Sequence, residues 1–418
     1  MGIKGRAKGL LFPIPVDTQD EVHPVFSICL LSSCSPSGYA CLGPGWYVLA
    51  GAITQECAFA DQTGYPTGHG IVATIAELHL DPTVLPTLCS ILGPSVPGEP
   101  CSLASVATWA DEVRKNKTWS APMHYINAIA DHPPKPCLFP GAQGWDGDED
   151  VNVLGAIRNT TNLLGRWVKQ GSDLSDSVAS EALKFLIHFV GDMHMPFHLV
   201  ARGEGATTVF VKWSGERVSK CFFFFRHGLF VGGTRPRLKT FGTELHSMWD
   251  GDVVERAMET TPAKWKKPLT PEIEQHLSGK RYDPLIRKVL VEGVNKVWPD
   301  EVESWVQCPA VERSPLLGDD SDDQTVLRSQ RRPSDWDDDS VCPLHWATPI
   351  HQLVCDWVWP KQLDQPPYNE PQGPLLELDT KDYAGRIAEE WLVEKLLTMG
   401  GLRLASILNL IFAEPRDH

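Results

Sequence analysis

From residue 69 onward, apolar side chains recur at intervals of three and four along most of the chain. "HGIVATIAEL" (69–78) opens the pattern. "LASVATWADEVRK" (103–115), "VLGAIRNTTNLLGRWV" (153–168) and "VASEALKFLIHFVGDM" (178–193) carry it on. "EIEQHL" (272–277), "LIRKVLVEGVNKVW" (285–298) and "EWLVEKLLTMGGLRLASILNLIF" (390–412) complete it. That spacing lines one face of an α-helix, so each stretch predicts a helix with a buried stripe. Strict alternation is scarce, and "TTVFVKW" (207–213) is the best strand, the seed of a minor β-hairpin. The pattern predicts an all-α protein, one mostly α-helical domain.

Three segments fall outside the pattern. Residues 1–63 are rich in Gly, Pro, Ser and Cys and have no sustained helical period. Within them "VFSICLLSSC" (25–34) resembles a signal-peptide core, placed late and with acidic residues upstream. Residues 216–242 hold four consecutive Phe beside Cys221, and residues 312–340 are charged and low in complexity. The organisation expected is therefore an N-terminal segment 1–63 and a body 64–418 interrupted at 216–242 and 312–340.

Charge changes the picture little. The formal net charge is −15, of which residues 319–340, with eight Asp against three Arg, supply −5. That acidic run lacks the ordered loop glycine of an EF-hand and reads as a solvated loop. Such a balance argues against gripping nucleic acid by phosphate neutralisation alone, but not when bound cations supply the positive charge. No run of eighteen uncharged apolar residues occurs, so no membrane span is expected. The nearest, 397–414, carries Arg403 and reads as a buried helix. Of eleven Cys, six (Cys89, Cys101, Cys137, Cys308, Cys342, Cys355) lie in the body; the others are Cys29, Cys34, Cys41, Cys57 and Cys221. An even body set suits a secreted, disulfide-bonded protein. Proximity along the chain pairs Cys89 with Cys101 and Cys308 with Cys342.

The candidate chemistry centres on "HFVGDMHMPFH" (188–198). His188 and Asp192 stand four apart, on one helix face within reach of a common ion. His198 follows Pro196, which breaks the helix and lets His198 swing back. "LHSMWD" repeats the spacing with His246 and Asp250, "GHG" offers His69, "WADEVR" offers Asp111 and Arg114, and "WSAPMHYINA" offers His124. Imidazole and carboxylate together suit zinc. A lone His/Asp pair is more often a satisfied core pair. Two such pairs plus a kinked third histidine are harder to assign to chance. His194 points off the His188/Asp192 face and reads as structural or as a support behind the ligands. His79, His132, His345 and His351 have no carboxylate at ligand spacing and read as core or surface.

These motifs, in this order, resemble the fungal zinc-dependent single-strand nucleases and 3′-nucleotidases of the phospholipase C/nuclease superfamily. The likeness covers roughly residues 68–215 and 243–418. It implies that superfamily's helical fold and three zinc ions. Asp111, His124 and His188 would hold one, with Asp192 bridging to a second that His69 also serves, and His198, His246 and Asp250 would hold the third. Arg114 would face the scissile phosphate, with Asp111 beside it in the catalytic group. The substrates implied are single-stranded DNA, RNA and 3′-nucleotides, with 5′-phosphorylated products, Tyr125 stacking on a base, and a monomeric enzyme. The resemblance also implies a Cys137–Cys355 disulfide and a secreted protein, in which the triplets at Asn116 and Asn159 would be glycosylation sites.

The chain departs from that family's pattern at several positions. Gly64 stands where the family's metal-binding N-terminal Trp belongs, so the second ion lacks a bidentate ligand. Met195 and Phe197 replace a Gln and a Leu. Asn127 replaces the base-reading Asp, and Gly205-Ala206-Thr207 replaces the Gly-Gly-Asn of the nucleotide pocket. Tyr125, Asn127 and Thr207 are thus the substrate-binding positions. Two other readings remain: a phospholipase C-like phosphodiesterase on lipid substrates, or a metal-deficient, inactive product of a faulty gene model. Codons 218–242 read as retained intron, with Val218-Ser219 at a splice donor and Phe222–Phe225 as a pyrimidine tract. Sequenced transcripts should lack them, and transcripts that keep them would end that reading.

Overall fold

The computed structural model describes residues 66–93, 101–148, 150–169, 174–213, 242–277, 279–309, 337–338, 340–364 and 374–413. All belong to the unit Thr63–His418. The expected segment 1–63, with Gly64, lies outside the described residues. So do 216–242 and 312–340, apart from residues 242, 337, 338 and 340.

The body is helical, as the apolar spacing predicts. In chain order it runs α1 (Pro66–Leu78), α2 (Val84–Leu92), α3 (Trp109–Val113), α4 (Val153–Val168) and α5 (Asp176–Met193). There follow α6 (Val253–Glu259), α7 (Asp283–Lys288), α8 (Val302–Val306), α9 (Pro343–Leu353) and α10 (Leu392–Phe412). The long helices start where capping chemistry permits. The Asn152 side chain accepts from the backbone N–H groups of Leu154 and Gly155 at the head of α4. Ser175 accepts from Val178 at the head of α5.

Three predicted helices break or shorten, 272–277 keeping helix only over Pro271–Glu274. Residues 103–115 form a 3₁₀ turn (Leu103–Val106) and the short α3, while 285–298 begins in α7 and widens into a π-helix (Val289–Val297). The expected strand 207–213 shrinks to β1 (Phe210–Val211), paired antiparallel with β2 (Thr243–Glu244). It begins late because Glu204 and Ala206 take left-handed backbone, turning the chain just before it.

Helices α1, α4, α5 and α10 form the core, with α5 between its partners: α4 packs on α5, and α10 lies along α1 and against α5. Gly401 permits the close approach of α10 to α1, since a Cβ there would sit 2.5 Å from the Ile75 side chain. The α10 window long and apolar enough for a membrane is 72% buried inside the protein. Arg403, on that helix, is itself buried: Nε donates to the Trp305 carbonyl at 2.8 Å and Nη1 to His194 Nε2 at 2.8 Å. One guanidinium thereby joins α10, α8 and the end of α5. Three disulfides staple the body: Cys89–Cys101, Cys137–Cys355 and Cys308–Cys342, the pairs expected.

His194 reads as structural in this frame. Its Nδ1 donates to the Val190 carbonyl at 2.6 Å, and burial beside Arg403 holds its pKa well below 6.5. In the unfolded chain the ring binds a proton below about pH 6.5, and in the fold it stays neutral there. Its contribution to stability is therefore complete above about pH 6.5 and declines as pH falls. Urea unfolding of wild type and His194→Gln at falling pH should show the wild type losing more stability below that value. Arg403→Leu, which strands His194 Nε2 and a buried carbonyl, should cost about 3–5 kcal/mol at neutral pH.

Candidate metal centre

Helix α5 supplies the first two site residues. His188 and Asp192, one turn apart and both buried, bring Nε2 and Oδ2 to 3.3 Å. The helix ends at Met193, and the 3₁₀ turn Pro196–Leu199 carries His198 back toward the same carboxylate. His198 Nε2 stands 3.8 Å from Asp192 Oδ1 and 3.7 Å from Asp250 Oδ1. His246 Nε2 lies 3.4 Å from Asp250 Oδ2. Between them the helical path opens into a π-turn, Met248–Asp252, a local widening common at functional sites.

Three other elements close the group. His124 ends the 3₁₀ turn Thr118–His124 and places Nδ1 2.9 Å from Asp192 Oδ2 and 3.7 Å from Asp111 Oδ1. Asp111, on α3, has Oδ2 3.6 Å from His188 Nε2. His69, in the first turns of α1, sets Nε2 3.3 Å from Asp192 Oδ1 and stacks its ring on His188 at 4.0 Å. Gly191 makes that stacking feasible, because a Cβ there would come 2.3 Å from His69 Nδ1.

All eight proposed ligand residues therefore converge. They form three sets, the first two sharing His188: His69, Asp111 and His188; His124, His188 and Asp192; and His198, His246 and Asp250. The grouping puts His69 beside Asp111 and His188 as well as Asp192.

The hydrogen bonds test whether a metal fits. His188, His198 and His246 each donate Nδ1–H to a backbone carbonyl, of Ala107 (2.7 Å), His124 (2.6 Å) and Gly205 (2.7 Å). In the neutral ring this leaves the Nε2 lone pair facing carboxylate oxygens. Lone pairs opposed at 3.3–3.8 Å repel unless a cation lies between them. The edge of a tetrahedron of N and O ligands about zinc is roughly 3.4 Å. His188 Nε2 is moreover buried with no hydrogen-bond partner. The donor set fits a divalent cation, with carbonyls behind the imidazoles fixing tautomer and ring orientation.

The electrostatics agree. Burial, helped by neighbouring His69 and His124, holds His188 down to about 4, so it is neutral at pH 7. Burial also works against charge on His198, yet the carboxylates of Asp192 and Asp250 outweigh it and lift the ring to about 9. For Asp192 burial opposes ionisation, but His188, His198 and His124 hold it well below the ordinary carboxylate range. Asp250 is depressed in the same way by His198 and His246. A cluster that draws a proton onto a buried imidazole is a cluster in demand of cations.

Around this centre lie the remaining candidates. The Asp111 and Arg114 side chains are 42% and 49% exposed, with Arg114 Nη1 3.7 Å from Asp111 Oδ1, so this guanidinium opens to solvent at the edge of the cluster. Tyr125, adjacent to His124, is 43% exposed. Asn127, with its amide nitrogen inward, donates to the carbonyls of Ile126 (3.2 Å) and Val200 (3.1 Å). The Thr207 hydroxyl donates to the Glu204 carbonyl at 2.9 Å and serves the turn. A cavity of ≈ 50 Å³ opens against His69, Gly191, Met195 and Asp250. Asn116 is exposed after α3, and Asn159 is half-buried within α4. Sequence reasoning missed the supporting carbonyls of Ala107 and Gly205, which carry no side-chain signal.

A family model described as S1/P1 Nuclease matches residues 65–413. The chain is 25% identical to Endonuclease 2 of Arabidopsis thaliana over 349 residues, spanning 82% of this chain and 89% of the relative. With Nuclease P1 of Penicillium citrinum it shares 36% over 154 residues, 35% of this chain and 52% of the relative. With Nuclease S1 of Aspergillus oryzae it shares 31% over 196 residues, 46% of this chain and 54% of the relative.

Asp192 faces imidazoles of both halves of the cluster, whereas His246 faces one. Elemental analysis of purified variants should therefore find more metal lost from Asp192→Asn than from His246→Gln.

Proposed function

The chain belongs to the S1/P1 nuclease family, hydrolases of nucleic-acid phosphodiester bonds, and we propose that it is a zinc-dependent enzyme acting on single strands. It would cleave single-stranded DNA and RNA to 5′-phosphorylated products and remove the phosphate of 3′-nucleotides. The observation that carries this reading is the convergence of five imidazoles and three carboxylates at ligand spacing.

His188, His124, Asp111, Asp192 and His69 would hold two zinc ions, and His198, His246 and Asp250 a third. Zinc in such a site supplies an activated water and charge to offset the phosphate oxygens. The protein's own groups do the rest. The carbonyl-backed imidazoles keep each Nε2 aimed inward. Arg114, exposed beside Asp111, would donate to a phosphoryl oxygen as negative charge builds there. Tyr125 presents a face on which an unpaired base can stack. Asn127 is the position that would read the base.

The three disulfides support a secreted protein. A monomer without a membrane anchor is the accompanying reading, with Asn116, exposed, the better of the two glycosylation positions. The family match favours a nuclease over a phospholipase C, which would need an aromatic cage for choline. The completeness of the eight-residue cluster favours an enzyme over a metal-deficient product.

Chelation should abolish hydrolysis of single-stranded DNA, and zinc should restore it. Tyr125→Ala should raise KM for single strands by about 5- to 100-fold with kcat little changed, since a stacked base contributes about 1–3 kcal/mol. Arg114→Ala should instead lower kcat by about 10²- to 10³-fold. Equal cleavage of duplex and single strands, or turnover of phosphocholine esters alone, would sink the proposal.

A further inference from the structure

His351 lies on α9, far along the chain from any acid at ligand spacing, and reads from sequence as a core histidine. It is buried, at 1% exposure, but it is not alone. Its Nε2 is 2.8 Å from Asp131 Oδ2, across 220 positions of sequence, and Asp131 Oδ1 accepts from the Leu138 backbone N–H at 2.8 Å. A carboxylate only accepts, so Nε2 carries the proton and, in the neutral ring, Nδ1 presents a lone pair. That lone pair is aimed at two sulfurs, Cys355 Sγ at 3.9 Å and Cys137 Sγ at 4.0 Å. Bonded to each other as a disulfide, neither sulfur has a proton to donate. A buried ring nitrogen thus points into a disulfide with no hydrogen bond, and Phe139, stacked on the imidazole at 4.5 Å, holds it there.

We infer that reduction of Cys137–Cys355 opens a Cys₂His site for a soft divalent cation such as zinc, with Asp131 bracing His351 from behind. The three donor residues form a compact group distinct from the catalytic cluster, sharing no residue with it. Around tetrahedral zinc, ligand nitrogen and sulfur are about 3.5 Å apart and two thiolates about 3.8 Å. The nitrogen–sulfur separations are already within about half an ångström of that value, so only the sulfurs need to part. The carboxylate behind a ligating histidine is the arrangement that fixes its tautomer for metal. Cys137 is half-buried, and the exposed Gln352 brings Oε1 to 3.6 Å from its sulfur, so that amide oxygen or a water would be the fourth ligand.

The step balances. A dithiol reductant gives two electrons and two protons to the disulfide and becomes a disulfide itself, leaving two cysteine thiols. Binding of the cation then displaces the two thiol protons to solvent. The segment 131–138 would be joined to the π-helical turn Val354–Val358, which continues α9, covalently when oxidised and through the metal when reduced.

The test uses the full chain, reduced with a phosphine under anaerobic conditions and titrated with Co²⁺, reading the thiolate-to-cobalt charge-transfer band. The catalytic cluster holds no thiolate and cannot contribute. The other cysteines are common to wild type, the double variant Cys137→Ser/Cys355→Ser and His351→Gln, so differences belong to this site. The expected result is about one cobalt more per chain in wild type than in the double variant. Asp131→Asn should weaken that cobalt by about 10- to 100-fold, and His351→Gln by at least as much. Coincident titrations of wild type and the double variant would overturn the inference, as would a His351→Gln titration equal to wild type. Loss of the helical circular-dichroism signal in reduced wild type with cobalt present would also overturn it.

Discussion

A carboxylate with 2% exposure is costly to keep ionised, and Asp192 is such a group. Imidazoles from α1, the 118–124 turn, α5 itself and the 196–199 turn come within 2.9–3.8 Å of it. The charge of Asp192 is tolerable only where cations or cationic rings surround it. Helix ends and turns must therefore be delivered to one point, and much of the tertiary structure can be read as the means of delivery. The break after Met193, the π-turn at 248–252 and the glycine under His69 all serve that convergence.

Support for the centre comes mostly from backbone. Carbonyls of Ala107, His124 and Gly205 orient three imidazoles, so rigidity of short turns becomes rigidity of ligand geometry. The end of α5 is held in turn by His194 against the buried Arg403 of α10. Arg403 itself is held by carbonyls at Trp305 and Trp346. The longest apolar helix is thereby part of the site's scaffold, packed inside the protein and ended near Ala413.

A net charge of −15 is awkward for a protein of a nucleic-acid-hydrolysing family. The proposed metal centre would answer this locally. Three carboxylates concentrate negative potential where cations bind, and Arg114 stands at the exposed rim. In the proposed enzyme, attraction for phosphate would then arise from bound ions rather than from a basic surface. Disulfides take up the stapling of the long loops that such a site needs, and one of them sits against the Asp131–His351 pair.

Periodicity alone determined the helical class and the spans of α4, α5 and α10, because a buried stripe must repeat with the helix. The two His-x-x-x-Asp pairs were equally legible, since four residues is one helical turn in sequence and in space. Motif order gave the family and with it the remaining proposed ligands. Sequence could not give the breaks inside 103–115 and 285–298, where an apolar period continues although the backbone leaves the α-helix. Nor could it give the partnership of Asp131 with His351, or of His194 with Arg403. Those contacts join residues more than two hundred positions apart. Local pattern records the energetics of one element against its core, whereas a pair between distant elements exists only once packing has fixed where each one ends.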